Sequence, residues 1–364
     1  MSDKPVGTDH AAGVTTDPAR RLVRVCDPAT LVEVIPSLLG FRPERSAVFV
    51  GMSAPGADTG MQITVTVRID FAGLYDSGEL TPVVDALHRS GATRVVTVLY
   101  LDEVTGDPRH DLLLQLAGGG IVDRLKTSGL AVTDLLVASP TRWWSLLCEQ
   151  EDCCPPEGKQ RSTAGLEDVL GALDPPAQSR EEALAILEPV PFDPDLAADM
   201  GQVATRNAFI GDTEQQVRVA VRKICDYARG LAEGHEDRRL SRDGLVQCAA
   251  ALAVLGVRDR IWTLIDAREE PHAELAALAL QVATRAPGVW AAPGYFLWAW
   301  EQWRDGRGME AQEAAMRALE ADSDYSAAVL LLTAIHAGLN PISIPKFRQF
   351  LEADEAEEQP DADN

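Results

Sequence analysis

The stretch RWWSLLCEQEDCCPPEG, residues 142–158, divides the sequence into two parts with different periodicities. It contains three of the six cysteines and two of the seven tryptophans. Before it, apolar patterns typical of strands alternate with patterns typical of helices, whereas only helical patterns follow it. We therefore predict an α/β N-terminal domain with a mixed sheet. An all-α helical C-terminal domain, partly tetratricopeptide-like, is predicted to follow it.

The mixed character of the sheet is predicted from two neighbouring strand patterns. Residues 46–52 form a short apolar run, and residues 63–69 alternate between apolar and polar side chains. The segment between them is rich in Gly, Pro and Asp, so we expect an antiparallel hairpin. Residues 94–101 are mostly apolar, which indicates a further strand that is buried on both faces.

Capping residues, prolines and glycines predict where the first helices begin, end and break. Asp27 followed by Pro28 is typical of a helix start, and Gly40 is placed to end that helix. Pro36 lies inside the pattern and is expected to kink it. A later helical pattern covers residues 108–128, where three consecutive glycines at 118–120 are expected to form a hinge between two helical pieces.

Changes in composition predict five segments along the chain. These are a disordered leader over 1–20, the α/β domain over 21–154, a Pro- and Gly-rich linker over 155–180, the helical domain over 181–340, and a largely disordered acidic tail over 341–364.

The charge of the chain limits its partners. The formal net charge is −23, so we expect no binding to nucleic acid and none to an anionic membrane, because both require positive charge. We identify neither an apolar run long enough to cross a bilayer nor a secretory signal. Six cysteines without regular spacing do not predict a disulfide framework. These features together predict a cytoplasmic protein.

The end of the helical half has a repeat-like pattern. A helix over residues 294–304 is dense in aromatic side chains, and the following helix carries Ala311 and Ala318 at positions where tetratricopeptide helices approach closely. The match is partial, because Ser323 stands where that motif usually has proline. Aromatic clusters of this kind usually form a core. If part of this one is exposed, it becomes a surface for docking a protein partner or a second copy of the chain.

Cys148, Cys153 and Cys154 admit three interpretations. Thiolates are good ligands of Zn²⁺, so the cluster is a candidate metal site, with a fourth ligand from Glu157, Cys26 or a histidine. Against this, the spacing is not the paired C-x-x-C form, and two adjacent cysteines do not readily point at one ion. A regulated disulfide between Cys148 and Cys153 or Cys154 is the second interpretation. The third, which the spacing favours, is a structural corner with buried thiols and proline-set turns.

Two further groups of residues near this stretch are site candidates. Trp143 and Trp144 point to opposite faces of a strand, so one is expected in the core and the other against the helical half or a ligand. With Pro155 and Pro156 they mark a structural junction. Asp102, His110, Ser139 and Arg142 follow predicted strands, and ligands of open α/β sheets bind beyond strand ends. These four are therefore the candidate catalytic residues, with a solvated loop as the alternative.

The pattern VIPSLLGFRP at residues 34–43, the stretch RWWSLLC at 142–148 and the stretch CCPPEG at 153–158 resemble an actinobacterial family, domain of unknown function 4192. The helical end, with ALEAD at residues 318–322, is similar to that family as well, so the resemblance covers roughly residues 22–340. It implies a cytoplasmic protein of high-G+C Gram-positive bacteria. It implies no activity, cofactor or catalytic residue.

Two function hypotheses from different classes follow. The first is a non-catalytic interaction or regulatory protein with a helical docking domain, whose partner is another protein or a second copy of the chain. The alternative is a small-molecule-binding protein or hydrolytic enzyme with a pocket at the strand ends of the α/β domain. Exposed aromatic residues on the last helices favour the first, and a pocket with a perturbed carboxylate at the strand ends favours the second.

Overall fold

A computed structural model describes residues 14–17, 20–23, 27–54, 61–75, 80–191, 193–206, 213–232, 239–341 and 344–346. The chain divides into two compact units, Met1–Ala183 and Leu184–Asn364. The first unit combines strands and helices, and the second is helical throughout its described part. The predicted fold class is therefore confirmed.

The first unit contains a six-stranded mixed sheet. Its strands are β3 (Ser46–Ser53), β4 (Gln62–Asp70), β5 (Arg94–Tyr100), β6 (Ala131–Ala138), β7 (Arg142–Ser145) and β8 (Lys159–Gln160), in the order β4-β3-β5-β6-β7-β8. β5 and β6 pair in parallel, whereas the other neighbours in this sheet are antiparallel. The predicted hairpin is present as β3 and β4.

A separate two-stranded antiparallel sheet precedes it, formed by β1 (Val14–Asp17) and β2 (Arg20–Val23). β1 falls within residues 1–20, for which the sequence predicts disorder, so this part of the leader is instead a strand. Residues 1–13 lie outside the described part of the chain.

Three helices cover the six-stranded sheet. Helix α1 (Pro28–Leu39) packs on one face, where Val32 and Ile35 contact a cluster of strand residues that includes Val48 and Val98. Helices α2 (Leu80–Arg89) and α3 (Leu112–Thr127) pack on the opposite face. Both faces of β5 are buried, as its apolar sequence predicts.

Helix α1 contains Pro36 without ending at it. A proline lacks the amide hydrogen that would bond the carbonyl four residues earlier, which here is Val32. The Tyr100 hydroxyl donates to that carbonyl oxygen at 2.9 Å and so satisfies it from the sheet. Asp27 caps the helix start and Gly40, at φ 81°, ends the helix, as predicted.

The predicted hinge at Gly118–Gly120 is wrong, because α3 runs through these glycines as one helix. Three glycines cost a helix about 1 kcal/mol each relative to alanine. Burial of Ile121 and Leu125 against the sheet offsets this cost. Gly118 also allows close packing, since a Cβ there would lie 2.7 Å from Leu135 Cδ2.

Residues 155–180, for which the sequence predicts a linker, contribute structure to the first unit. They include β8 and helix α4 (Glu167–Gly171), in which Val169 is buried. Phe41 and Ala177 form a β-bridge, and the Arg42 amide donates to the Ala177 carbonyl at 3.0 Å. Proline and glycine content therefore marks turns here rather than a free connection.

Helices make up the described part of the second unit. Helix α5 (Arg180–Leu184) ends at the unit boundary. It is followed by α6 (Leu196–Arg206), α7 (Glu214–Ala232), α8 (Arg242–Leu252), α9 (Leu255–Ala267), α10 (His272–Arg285), α11 (Ala292–Arg304), α12 (Gly308–Ala321) and α13 (Ser326–His336), joined in places by short 3₁₀ turns. No helix in the described part of the chain is both long and apolar enough to span a membrane.

Helix α11 lies at the centre of this unit. Its aromatic side chains are all buried, with exposed fractions of 7% or less: Tyr295, Phe296, Trp298, Trp300 and Trp303. The aromatic cluster is therefore core, and it does not supply an exposed docking surface. Ala311 and Ala318 are fully buried on α12. The tetratricopeptide likeness stays a prediction.

The beginning of the predicted acidic tail is anchored to the helical core. The Arg304 guanidinium donates to the carbonyls of Pro341 and Ile344, and Ile344 packs against the core. Arg304 also pairs with the buried Asp266 at 2.6 Å. Residues 347–364, which carry all the acidic side chains of the tail, lie outside the described part of the chain.

Candidate metal centre

The three clustered cysteines lie on one excursion of the chain at the edge of the sheet. This excursion, residues 146–158, leaves the end of β7 and returns to β8, and we call it the thiol loop. β8 pairs with the beginning of β7, so both ends of the loop are fixed to the same strand.

The thiol loop brings Cys148, Cys153 and Cys154 together. Their Sγ atoms all lie within 4.8 Å of one another. A tight turn produces this arrangement, because the amides of Cys153 and Cys154 both donate to the Gln150 carbonyl, at 3.1 and 2.7 Å. The expectation that adjacent cysteines would not converge is therefore not met. Cys154 is buried, Cys148 is half-buried and Cys153 is exposed.

Ser145 fixes the entry into the loop. Its hydroxyl accepts hydrogen bonds from the amides of Leu147 and Cys148, at 3.3 and 3.1 Å. The same hydroxyl donates to Asp134 Oδ1 on β6 at 2.6 Å. Asp134 is also held, because its Oδ1 accepts from the Leu135 amide. The position of Cys148 is thus set from the sheet.

Arg109 holds Cys148 through its carbonyl, whereas Ser145 holds it through its amide. Arg109 donates from Nη1 to the Cys148 carbonyl oxygen at 3.1 Å. The rest of the guanidinium is occupied by Asp107, which accepts from Nε and from Nη2 at 2.7 to 3.1 Å. This pairing lowers the pKa of Asp107 and orients the guanidinium towards the loop.

Trp144 and Arg142 fix the exit of the loop. The Trp144 indole nitrogen donates to the Pro156 carbonyl at 3.1 Å. Arg142 Nη1 donates to the carbonyls of Glu157 and Gly158, at 3.0 and 2.9 Å. Gly158 lies directly against the indole, with a φ of +75°. Both the space and the backbone angle require glycine there.

The three thiols differ in electrostatic environment. A hydrogen bond from the Gln150 backbone, followed by one from the Cys154 thiol, lowers the pKa of Cys148 below its usual value. Burial, followed by the Cys148 interaction, raises the pKa of Cys154 to about 11. Cys148 is therefore the thiol of this pair that ionises more readily. Cys154 becomes a thiolate at neutral pH only when a nearby positive charge compensates for its burial.

These residues fit a thiophilic metal ion. Thiolates around a tetrahedral Zn²⁺ lie roughly 3.8 Å apart, with Zn–S bonds of about 2.3 Å. The Sγ separations are at most 4.8 Å, which is no more than about 1 Å wider than this geometry. Among the described residues the cluster supplies three ligands, so a fourth position is left for water or another donor. Cys26, a predicted fourth ligand, lies outside the described residues.

The structure places the four candidate catalytic residues in different surroundings. Ser139 is buried and exchanges hydrogen bonds with the Arg142 backbone, donating to its carbonyl at 3.2 Å and accepting from its amide at 3.0 Å. The Arg142 side chain holds the exit of the thiol loop, as described above. Asp102 is exposed, and His110 is 84% exposed, with Nδ1 3.9 Å from Asp107. The structure brings Ser139 and Arg142 together as a turn rather than as a catalytic pair.

Trp143 and Trp144 point to opposite faces of the sheet, as predicted. Trp143 packs in the cluster beneath α1, and Trp144 packs in the cluster beneath α2 and α3. Both are buried among residues of the first unit rather than those of the helical half, and contact with a ligand stays a prediction. With Pro155 and Pro156 they form the predicted structural corner. This corner holds the loop that carries the three thiols, so it is present together with the candidate metal centre.

Sequence reasoning missed four residues that support the site: Asp107, Arg109, Asp134 and Ser145. Asp107 followed by Pro108 is a helix-start signal, and it does initiate a short 3₁₀ turn that positions Arg109. The contact between Arg109 and Cys148 spans 39 residues. No local pattern reports a contact over that distance.

Comparison with known proteins gives a family. The model of a family described as Domain of unknown function (DUF4192) matches residues 28–342, which is most of the chain. In the same comparison, neither a curated protein nor a solved structure matches this chain.

Proposed function

The chain belongs to the DUF4192 family, and we propose that it is a cytoplasmic, non-catalytic regulatory protein that binds Zn²⁺ through Cys148, Cys153 and Cys154. One observation carries the proposal, namely that three Sγ atoms converge within 4.8 Å. The loop that carries them is held by Ser145 and Arg109, which are the kind of surrounding contacts that orient metal ligands.

The charge of such a centre favours a regulatory role over a hydrolytic one. Three thiolates around Zn²⁺ leave one net negative charge, which makes the ion a weak Lewis acid for activating water. Ser139 also lacks the geometry of a hydrolase nucleophile, because its hydroxyl is hydrogen-bonded to the carbonyl and the amide of Arg142. The described cysteines are free thiols, which supports a reducing compartment.

Metal content tests the proposal. Protein purified without chelator is expected to contain about one zinc per chain. Cys148→Ser and Cys154→Ser are expected to lose it, because each removes one of three ligands. Cys248→Ala is the matched control, since that thiol is buried in the core of the helical unit. Zinc well below stoichiometry in the wild type, or equal zinc in all variants, would refute the proposal.

We further propose that the regulatory output is self-association through helix α13. Its neighbour α12 covers one side, while Val329 and Leu330 on α13 are 46% and 70% exposed. Adjacent exposed apolar side chains are candidates for burial against another surface. The proposed occupant of this surface is a second copy of the chain. Helix α13 is thus the docking surface in this proposal, since the aromatic residues of α11 are buried.

Light scattering after size exclusion tests this step. Leu330→Glu is expected to lower the molar mass of the particle, because a carboxylate cannot be buried cheaply in an apolar contact. Leu116→Glu on α3 is the control, since Leu116 is 65% exposed but lies in the first unit. A wild type that is monomeric at high concentration contradicts the self-association step alone.

A further inference from the structure

The thiol loop has a geometry that restricts which of its cysteines can oxidise together. Disulfides need Cα atoms about 4.4–6.8 Å apart. Cys153 and Cys154 are neighbours, and adjacent Cα atoms across a trans peptide lie only about 3.8 Å apart. A disulfide between Cys153 and Cys154 would therefore be strained, and an unstrained disulfide within the loop includes Cys148, whose Sγ is within 4.8 Å of both other sulfurs.

Solvent access selects the partner of Cys148. An oxidant from solution must reach the first thiol, and Cys153 is the exposed one of the three. Cys154 is only 5% exposed, so an oxidant in solution does not reach its thiol directly. Cys148 is half-buried, lies next to Cys153, and is held in place through its amide and its carbonyl.

We propose that the thiol loop is an oxidation site for hydroperoxides, at which a disulfide forms between Cys148 and Cys153. The Cys153 sulfur attacks one peroxide oxygen, the O–O bond breaks, and the alcohol or water leaves with the thiol proton. Cys148 Sγ then attacks the resulting sulfenic sulfur, the S–O bond breaks, and water leaves with the Cys148 proton. The two sulfurs lose two electrons in total, and the hydroperoxide gains them.

Oxidation and metal binding then exclude one another, and this consequence rests on the proposed zinc function. The disulfide removes two of the three ligands, and Cys154 alone does not retain the ion. Oxidation therefore releases zinc, and bound zinc protects the thiols. Ser145 and Arg109 hydrogen-bond the backbone of Cys148 rather than its sulfur. These contacts are therefore expected to persist when the disulfide forms.

The experiment uses the full chain, in a metal-free and a zinc-loaded form, treated with hydrogen peroxide and then alkylated. Trypsin releases residues 143–159 as one peptide that contains all three thiols. In the oxidised metal-free protein we expect one alkyl group on this peptide, located on Cys154 by fragmentation. Alkylation of Cys148 or Cys153 instead, or of all three, would overturn the assignment.

Two variants keep the test decisive, with circular dichroism to confirm folding. Cys154→Ser is expected to form the disulfide at a rate within about twofold of the wild type, whereas Cys148→Ser is expected to form no disulfide within the loop, because it lacks one of the two sulfurs. A disulfide in Cys148→Ser, or its loss in Cys154→Ser, contradicts the pairing. Zinc release is measured separately with a chelating dye, so a protein that binds no zinc but forms the disulfide refutes only the zinc function.

Discussion

The contact between Gly158 and the Trp144 indole gives a quantitative prediction about the thiol loop. A Cβ at residue 158 would lie 2.3 Å from Trp144 Cε2 and 2.6 Å from Nε1. The indole is rigid and 4% exposed, so it cannot yield without disturbing the core beneath α2 and α3. Gly158→Ala must therefore displace either the ring or the loop.

The magnitude follows from three contributions. An alanine at positive φ costs about 1–2 kcal/mol. Displacing the indole adds about 1–3 kcal/mol of overpacking strain. Loss of the hydrogen bond from Trp144 to the Pro156 carbonyl adds about 1 kcal/mol. Gly158→Ala is thus expected to destabilise the first unit by about 3–6 kcal/mol.

Gly165→Ala is the matched control. Gly165 has a φ of +80°, and a Cβ there meets no atom within 4 Å. It therefore carries only the backbone cost of about 1–2 kcal/mol. The difference between the two variants, about 2–4 kcal/mol, isolates the contact with the indole.

Hydrogen exchange measured by mass spectrometry is the suitable assay, because the chain has two units and a single unfolding free energy is not defined for it. Peptides that cover β6 and β7 report the opening free energy of the first unit. Opening free energies for the two variants within about 0.5 kcal/mol of each other would refute the reasoning. Gly158→Ala is also expected to weaken zinc binding, whereas Gly165→Ala leaves it unchanged.

Three further predictions concern buried groups. Ser145→Ala removes the acceptor for two loop amides. It is expected to lower the opening free energy of the thiol loop by about 1–3 kcal/mol in the same exchange assay. Gly294→Ala places a Cβ 2.5 Å from the Ala279 carbonyl and is expected to lower the melting temperature of the helical unit, as calorimetry would show. Burial raises the pKa of Glu301 from 4.5 to about 7, so the folded state binds more protons and stability falls as pH rises from 4.5 to 7. Glu301→Gln is expected to reduce the loss of stability of the helical unit over this pH range by on the order of 3 kcal/mol, measured by denaturation at several pH values.

The architecture of the first unit was predictable because its signals are local. The alternation over β4, the apolar run of β5 and the caps of α1 each lie within a few residues of the structure they specify. The prediction failed where packing outweighed local preference. Gly118–Gly120 stay helical because the helix is buried against β6, and residues 155–180 are ordered because β8 pairs with β7.

The candidate site was only half predictable for the same reason. The three cysteines stand out in the sequence, but their spacing suggested divergence, and only the turn around the Gln150 carbonyl makes them converge. The supporting contacts join distant residues, such as Arg109 with Cys148 and Asp134 with Ser145. Likewise, the aromatic residues of α11 have no sequence feature that distinguishes a core from a docking surface.

The unequal burial of the three thiols explains why metal binding and oxidation would form a switch. A thiolate at Cys154 is unfavourable because burial raises its pKa to about 11, so a metal must supply the compensating charge, and a proton is released as it binds. The disulfide between Cys148 and Cys153 requires no ionisation of Cys154. Oxidation therefore removes the two more accessible ligands and leaves the thiol that binds a metal least well by itself. In the proposed scheme the loop has two stable states, zinc-bound and oxidised, and the anchors at Ser145, Arg109 and Trp144 hold its backbone in both.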